Sequence, residues 1–371
     1  MPDESLLSLR PILEYLTQPV LLVENGVILY RNSAAAVLEV DPGSSIFGLL
    51  GTTADFYREF DGIGTLSLTF THGSLELDAS IHRHAGIDLF AITALPPEAP
   101  SLGTLSVVAQ TLRGPVSSLF STASTLFPYL EELENAKVQP QTAALNRSFY
   151  QLLRLTGNLT DASRFLSGDI LLFREPTELV AFFTRIYDQC APLCQAAGIA
   201  LQFSCPDQPK TVSIDQQKVE RALLNLLSNA MKFTPSGGEI ELHVEWTNSS
   251  VLIRVRDNGE GMTPDIVATV FNRYVHRDTL GDPRWGVGLG LPIVRHVAQL
   301  HGGTVIMSSR PQTGTSVTMS LALTPPPVKE KEETTVNSPI LNFDYAGGFN
   351  HTLVELADAI PASAFDSVNV N

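Results

Sequence analysis

Asn225, Asn229 and Lys232 stand four and three residues apart in Asn225-Leu-Leu-Ser-Asn229-Ala-Met-Lys232, so a helix there presents two amides and an ammonium on one side. Magnesium takes oxygen ligands and keeps several of its waters. The amide oxygen of Asn229, with phosphate oxygens and water, is therefore enough to hold it. Lys232 then reaches the phosphates, and Leu223, Leu224, Leu226 and Leu227 turn to a core. Farther on, Asp257 ends the apolar run Val251-Leu-Ile-Arg-Val-Arg and is followed by Gly259 and Gly261. A carboxylate there accepts from an exocyclic amine such as adenine offers, and glycines permit positive φ and close approach of backbone to a base. Gly286, Gly288 and Gly290 precede Leu291, which opens an apolar-periodic helix running to Leu300. The unpaired N–H groups at such a helix start favour phosphate. Pro292 fits in that first turn, where a missing donor costs nothing. The segment between, residues 262 to 286, is long and Arg-rich; it reads as a movable lid with Arg273 or Arg277 contacting phosphate. These are the parts needed to hold ATP with Mg2+.

The elements that must position them form an α/β unit over residues 174–323. Helices from about 177 to 197 and 215 to 233 alternate with strands at Ala200–Ser204, Glu239–Trp246, Val251–Asp257, Gly303–Ser308 and Ser316–Leu323. Ahead of it, residues 101–168 read as a helical hairpin. Leu102, Leu105, Ala109, Leu112, Val116, Leu119, Ala123, Leu126, Leu130 and Leu133 hold a heptad seam, and Pro115 within it predicts a kink. After a turn over Asn135 to Pro140, Leu145, Phe149, Leu152, Thr156, Leu159, Ser163 and Leu166 repeat the spacing. Two such helices leave too much apolar stripe uncovered, which predicts pairing of two hairpins in a homodimeric four-helix bundle.

Residues 1–95 read as a small mixed domain. Two apolar strands flank Asn25-Gly26, a strong hairpin signal, and Asn32 to Leu38 continues as a helix. Strands follow at Leu66 to Phe70, Leu75 to His82 and Ile87 to Ala94, with His82 and His84 on one solvated face. The order of elements resembles a PAS sensory domain. Pro325 to Pro327 begin a linker and a tail, residues 324–371, whose apolar residues Phe343, Tyr345, Phe349, Leu353, Leu356 and Phe365 are scattered.

Taken as a series, the Asn, Asp-Gly and glycine clusters, with Phe271 and the Gly314-Thr315 turn, resemble the N, G1, F and G2 boxes of the sensor histidine kinase catalytic domain. Leu152-Leu-Arg-Leu-Thr-Gly-Asn-Leu-Thr-Asp-Ala-Ser-Arg164 is similar to the second helix of that family's dimerisation domain. The resemblance covers roughly residues 102 to 323. It implies an α+β multidomain chain with a Bergerat (GHKL) sandwich, ATP and Mg2+ as cofactors, Asn229 as metal ligand and Asp257 on the adenine. Asn225 and Lys232 complete the helix side of the site, and Gly259, Gly261, Gly286, Gly288, Gly290, Leu291 and Thr315 complete the nucleotide cradle. It also implies two-component signalling with a response regulator or a histidine-containing partner.

One departure concerns the acceptor. The family's His-Glu-Leu-Arg-x-Pro is Gln110-Thr111-Leu112-Arg113-Gly114-Pro115 in this chain. A primary amide has no nucleophilic nitrogen at neutral pH, and Thr111 is no general base. Histidine is absent between His84 and His243, which speaks against self-phosphorylation. A regulatory pseudokinase or dimerisation module without phosphotransfer is the alternative. A gyrase-type ATPase would need a glutamate where Asn225 stands. A second departure is Val287, where the family often has a hydroxyl or small residue.

Composition narrows the classes. Hydrophobic residues make up 44% and charged residues 17%, globular values. A net charge of −15 argues against nucleic-acid or anionic-membrane surfaces. Met1-Pro2-Asp3-Glu4 lacks a basic leader, and no run of about 18 apolar residues occurs, so a cytoplasmic protein without membrane insertion is expected. Cys190, Cys194 and Cys205 suit a reducing compartment, the first two as small core residues.

Overall fold

Asn25 and Gly26 take φ of 51° and 80°, the pair of left-handed residues that a two-residue hairpin turn requires. They join β1 (Val20–Glu24) to β2 (Val27–Arg31). A Cβ at Gly26 would come within 2.3 Å of the Phe47 ring, so this glycine serves packing as well as the turn. The computed structural model describes residues 10–51, 65–94, 138–167, 172–267, 288–323 and 350–365, apart from isolated positions, together with Tyr57, Val270 and several positions between 112 and 126. Asn32 caps a 3-10 turn at Ser33–Leu38, where a helix was expected, and Ser45 caps α1 (Ile46–Leu50). Three antiparallel strands follow, β3 (Thr65–His72), β4 (Leu75–His84) and β5 (Ile87–Ala94). His82 and His84 are both exposed, as their shared face predicts.

Two compact units divide the chain: residues 1–98 with 245–322, and residues 99–244 with 323–371. The second begins its described part in the helical segment. Val116 is buried, while Leu112, Leu119 and Leu126 are exposed. Gln110, Thr111 and Pro115 lie outside the described residues. Then α2 (Val138–Ser167) starts earlier than the expected turn allows, with Pro140 in its first turn, where its missing N–H is harmless. The buried face of α2 carries Asn146, Tyr150, Leu153 and Arg154 together with seam residues Phe149 and Thr156, whereas seam residues Leu145 and Leu152 stay exposed. The burial beside the expected seam has a physical cause: the C-terminal stretch of the chain packs there, with Phe365 5.2 Å from Tyr150, ring centre to ring centre.

Next, β6 (Glu175–Glu178) leads into α3 (Leu179–Ala196), capped by the Glu178 carboxylate. β7 (Ala200–Ser204) precedes β8 (Thr211–Ile214), which pairs with β6. Asp215 then caps α4 (Gln216–Phe233), and β9 (Glu239–Trp246) returns parallel to β7. In α3, burial pushes the Cys194 thiol up to about 12 and drives Cys190 higher still, so both are inert core residues. Among the described residues no cluster of His, Cys, Asp and Glu could hold a metal ion.

The chain re-enters the first unit with β10 (Ser250–Asp257), α5 (Gly290–Leu300), β11 (Val305–Arg310) and β12 (Gly314–Ala322). The strands of this unit run in the order β2-β1-β5-β4-β3-β11-β12-β10. The strand pairs described in this unit are antiparallel, including the seam at which Val305, Ile306, Met307 and Ser308 face Thr69, Leu68, Ser67 and Leu66. Leu252 and Ile306 share one apolar core with Leu66, Leu68, Phe70 and Phe90. Thr304 also donates its hydroxyl to the Thr69 carbonyl. Finally α6 (His351–Leu356), capped by Asn350, belongs to the second unit. No described helix is long and apolar enough to cross a membrane.

Candidate functional site

Asp257 sits at the end of β10, 7% exposed. Its Oδ1 accepts from the backbone N–H of Gly259 at 2.9 Å and of Thr315 at 3.1 Å. Burial raises its pKa above the usual carboxylate range, against the two amides and Arg256, which pull it down. The loop after it is fastened to the β11–β12 turn. The Gln312 N–H donates to the Glu260 carbonyl at 2.7 Å. Ser309 accepts from the Met262 N–H at 2.8 Å, donates to the Gly314 carbonyl at 3.0 Å and lies 2.9 Å from the Thr315 hydroxyl. Ser309 is the residue that sequence reasoning missed. Its only signal is a hydroxyl pair, Ser308-Ser309, ending an otherwise apolar strand.

Gly261 has φ +65°, and a Cβ there would lie 1.9 Å from the Arg310 carbonyl oxygen. Packing on the β11 end by itself requires glycine there. Gly259, expected to share the positive φ, does not have it. At α5, Gly288 is exposed with φ +73°, Gly290 is the first helical residue, and Leu291 and Pro292 complete the first turn. Among the described residues no side chain caps the start of this helix. Gly286, Val287, Phe271, Arg273 and Arg277 lie outside the described residues. Farther along α5, burial foremost, with Arg295 beside it, lowers the His296 pKa to about 3, so the ring is neutral.

In the other unit, α4 buries Leu223, Leu224, Leu226 and Leu227 as expected. Asn229 and Lys232 are half-buried, but Asn225 is fully enclosed. Its Nδ2 donates to the Arg221 carbonyl at 3.0 Å and to Glu355 Oε2 at 3.2 Å, and its Oδ1 accepts from Arg154 Nη2 at 3.4 Å. Lys232 Nζ donates to Asp358 Oδ2 at 3.1 Å. Burial lowers the Lys232 pKa, with Arg154 adding to it and Asp358 opposing. Burial works against ionised Asp358, yet Lys232 and Arg154 outweigh it and hold that carboxyl below its ordinary value. Two residues expected to meet a nucleotide therefore meet acids from the tail, whose role the sequence left open.

Residues 214–325 match the family described as histidine kinase-, DNA gyrase B-, and HSP90-like ATPase. The sensor histidine kinase YvrG of Bacillus subtilis (strain 168) is 27% identical over 208 residues, covering 56% of this chain and 36% of its own length. The sensor histidine kinase WalK of the same organism is 30% identical over 235 residues, covering 61% of this chain and 36% of its own. Among solved structures, full-length ShkA in complex with AMPPNP aligns over 60% of this chain and 46% of its own at 24% identity, with a TM-score of 0.49. This chain thus spans about a third of the length of the curated relatives it matches. Residues 214–325 thus carry an ATPase domain of the kind shared by histidine kinases, and the similarity to sensor histidine kinases extends over more than half of the chain.

Proposed function

We propose that this chain binds Mg-ATP and works in two-component signalling as a cytoplasmic, homodimeric member of its family that does not label itself. The observation that carries the reading is the carboxylate of Asp257. Gly259 and Thr315 engage its Oδ1 only, so Oδ2 is the oxygen that accepts from the adenine amine. A backbone-held acceptor in a largely dry position is what specific recognition of one amine requires. The uncapped start of α5 and the positive φ of Gly288 suit phosphate at that helix end. Among the described residues no carboxylate cluster competes for the metal, so the amide oxygen of Asn229 with phosphate and water fits Mg2+, which seldom takes an all-protein cage. When bound, the ion neutralises phosphate charge; Lys232 adds a protein cation.

The acceptor reading rests on Gln110 and Thr111, which offer neither nucleophile nor base. Phosphate would then go to a histidine-containing partner or response regulator, or the nucleotide would serve regulation alone. The enclosure of Asn225 by the tail favours the regulatory form. The exposed Leu145, Leu152 and Leu155 on α2 support a dimer face. We assign 1–95 to a PAS-like sensory domain, on its five antiparallel strands, 101–168 to the dimerisation hairpin, 174–323 to the ATP domain and 324–371 to linker and tail.

The test is titration with a fluorescent ATP analogue. Binding is expected to depend on Mg2+, and Asp257→Asn, which keeps Oδ1 but loses the Oδ2 acceptor, is expected to weaken it ~10- to 100-fold. Asn229→Ala should abolish the Mg2+ dependence. γ-Phosphate label is expected not to remain on the purified chain; acid-labile label would overturn the acceptor reading.

A further inference from the structure

The stretch 350–365 lays the chain's own carboxylates on the cationic side of α4. Its anchor is apolar: Leu353, Leu356, Ile360 and Phe365 are all buried. Polar bonds fix the register on α2. Asn146 donates to the Phe365 carbonyl at 3.1 Å, and Arg147 donates to the carbonyls of Ala357 at 3.1 Å and Asp358 at 3.2 Å. On this anchor Glu355, 0% exposed, lies 3.4 Å from Arg154 Nε, 3.2 Å from Arg221 Nε and 3.2 Å from Asn225 Nδ2. Asp358 takes Arg154 Nη1 at 2.7 Å and Lys232 Nζ at 3.1 Å.

The charges balance only with the tail in place. Arg154, Arg221 and Lys232 face Glu355, Asp358 and Asp161, and Asp161 alone belongs to α2 rather than to the tail. Remove the other two and the side of α4 that bears Asn225 and Lys232 is left with unmatched cations. That is the field a polyphosphate seeks. A phosphate brought to Lys232 beside Asp358 sets anion against anion, and one of them must leave.

We propose that residues 350–365 form a built-in plug whose Glu355 and Asp358 compete with nucleotide phosphate for Asn225 and Lys232. The inference rests on the nucleotide reading of α4 above and names its regulation: the ATP site is engaged when the tail withdraws. Two readouts on the full chain test it. The first is titration with the fluorescent ATP analogue and Mg2+. Asp358→Asn, at a side chain 35% exposed and therefore tolerant, is expected to bind three- to tenfold tighter than the parent, by about the strength of one partly screened ion pair. That gap should narrow as salt rises. The second is amide hydrogen exchange, in which nucleotide is expected to speed exchange over 350–365 in the parent chain. Equal affinity of parent and variant, with exchange over 350–365 unmoved, would overturn the plug and leave nucleotide binding standing. Binding to neither chain would overturn both.

Discussion

Asp257 and Glu355 are both buried carboxylates, yet the chain surrounds them in opposite ways. Asp257 is held at one oxygen by the amides of Gly259 and Thr315, and burial raises its pKa. Glu355 is enclosed by two guanidiniums and the Asn225 amide, contributed by α2 and α4. The first is an acceptor kept costly and incomplete, the condition of a group awaiting a ligand. The second is matched by opposite charges from within the fold, the condition of a fastening. On the proposed nucleotide reading, a carboxylate's surroundings, more than its burial, separate recognition from assembly.

The sharpest way to break the contrast is Glu355→Ala. Arg154 and Arg221 are then buried without their shared carboxylate, at an expected cost of about 3–5 kcal/mol in urea denaturation. Asp257→Asn should cost nothing there, since it removes a burdened charge and keeps the Oδ1 bonds. A loss near that of Glu355→Ala would erase the distinction. Acid gives a second, smaller separation. His296 binds its proton only near pH 3 when folded, against about 6.5 unfolded, so the unfolded state takes up the extra proton between those values and stability falls as pH falls through them. From pH 7 to pH 5 this costs about 2 kcal/mol. Asp358, whose pKa is lowered, keeps its contribution until the pH drops below the ordinary carboxylate range. Hydrogen exchange at pH 5 should therefore quicken over 290–300 before it quickens over 350–365. The smallest effect is that of Ser309→Ala, about 1 kcal/mol, because it frees the Thr315 hydroxyl but leaves the Thr315 N–H on Asp257.

Much of the scaffold was legible because period alone determines it. Ala200–Ser204 and Glu239–Trp246 alternate and are strands within those bounds, and the amide helix begins one residue after its expected start. Glu175–Glu178 and Thr211–Ile214 went unread: four residues, partly polar, show no period and exist as strands through each other. The α6 helix was hidden for a related reason. Six residues are far too few to nucleate alone, and only packing on α2 and α4 makes them helical. Asp257 and the leucines of α4 were legible by type and spacing, and Thr315 through the family resemblance. Ser309 and Glu355 were not, since each owes its place to a partner distant in sequence.

The β3–β11 seam has a practical consequence for anyone trimming the chain. Cutting away residues 1–98 removes the neighbour that covers Val305 to Ser308 and strips Ile306 of half its apolar company. The shortened molecule would present a bare strand margin to solvent and gather through it into aggregates, so a soluble fragment must bring its own cover for that margin.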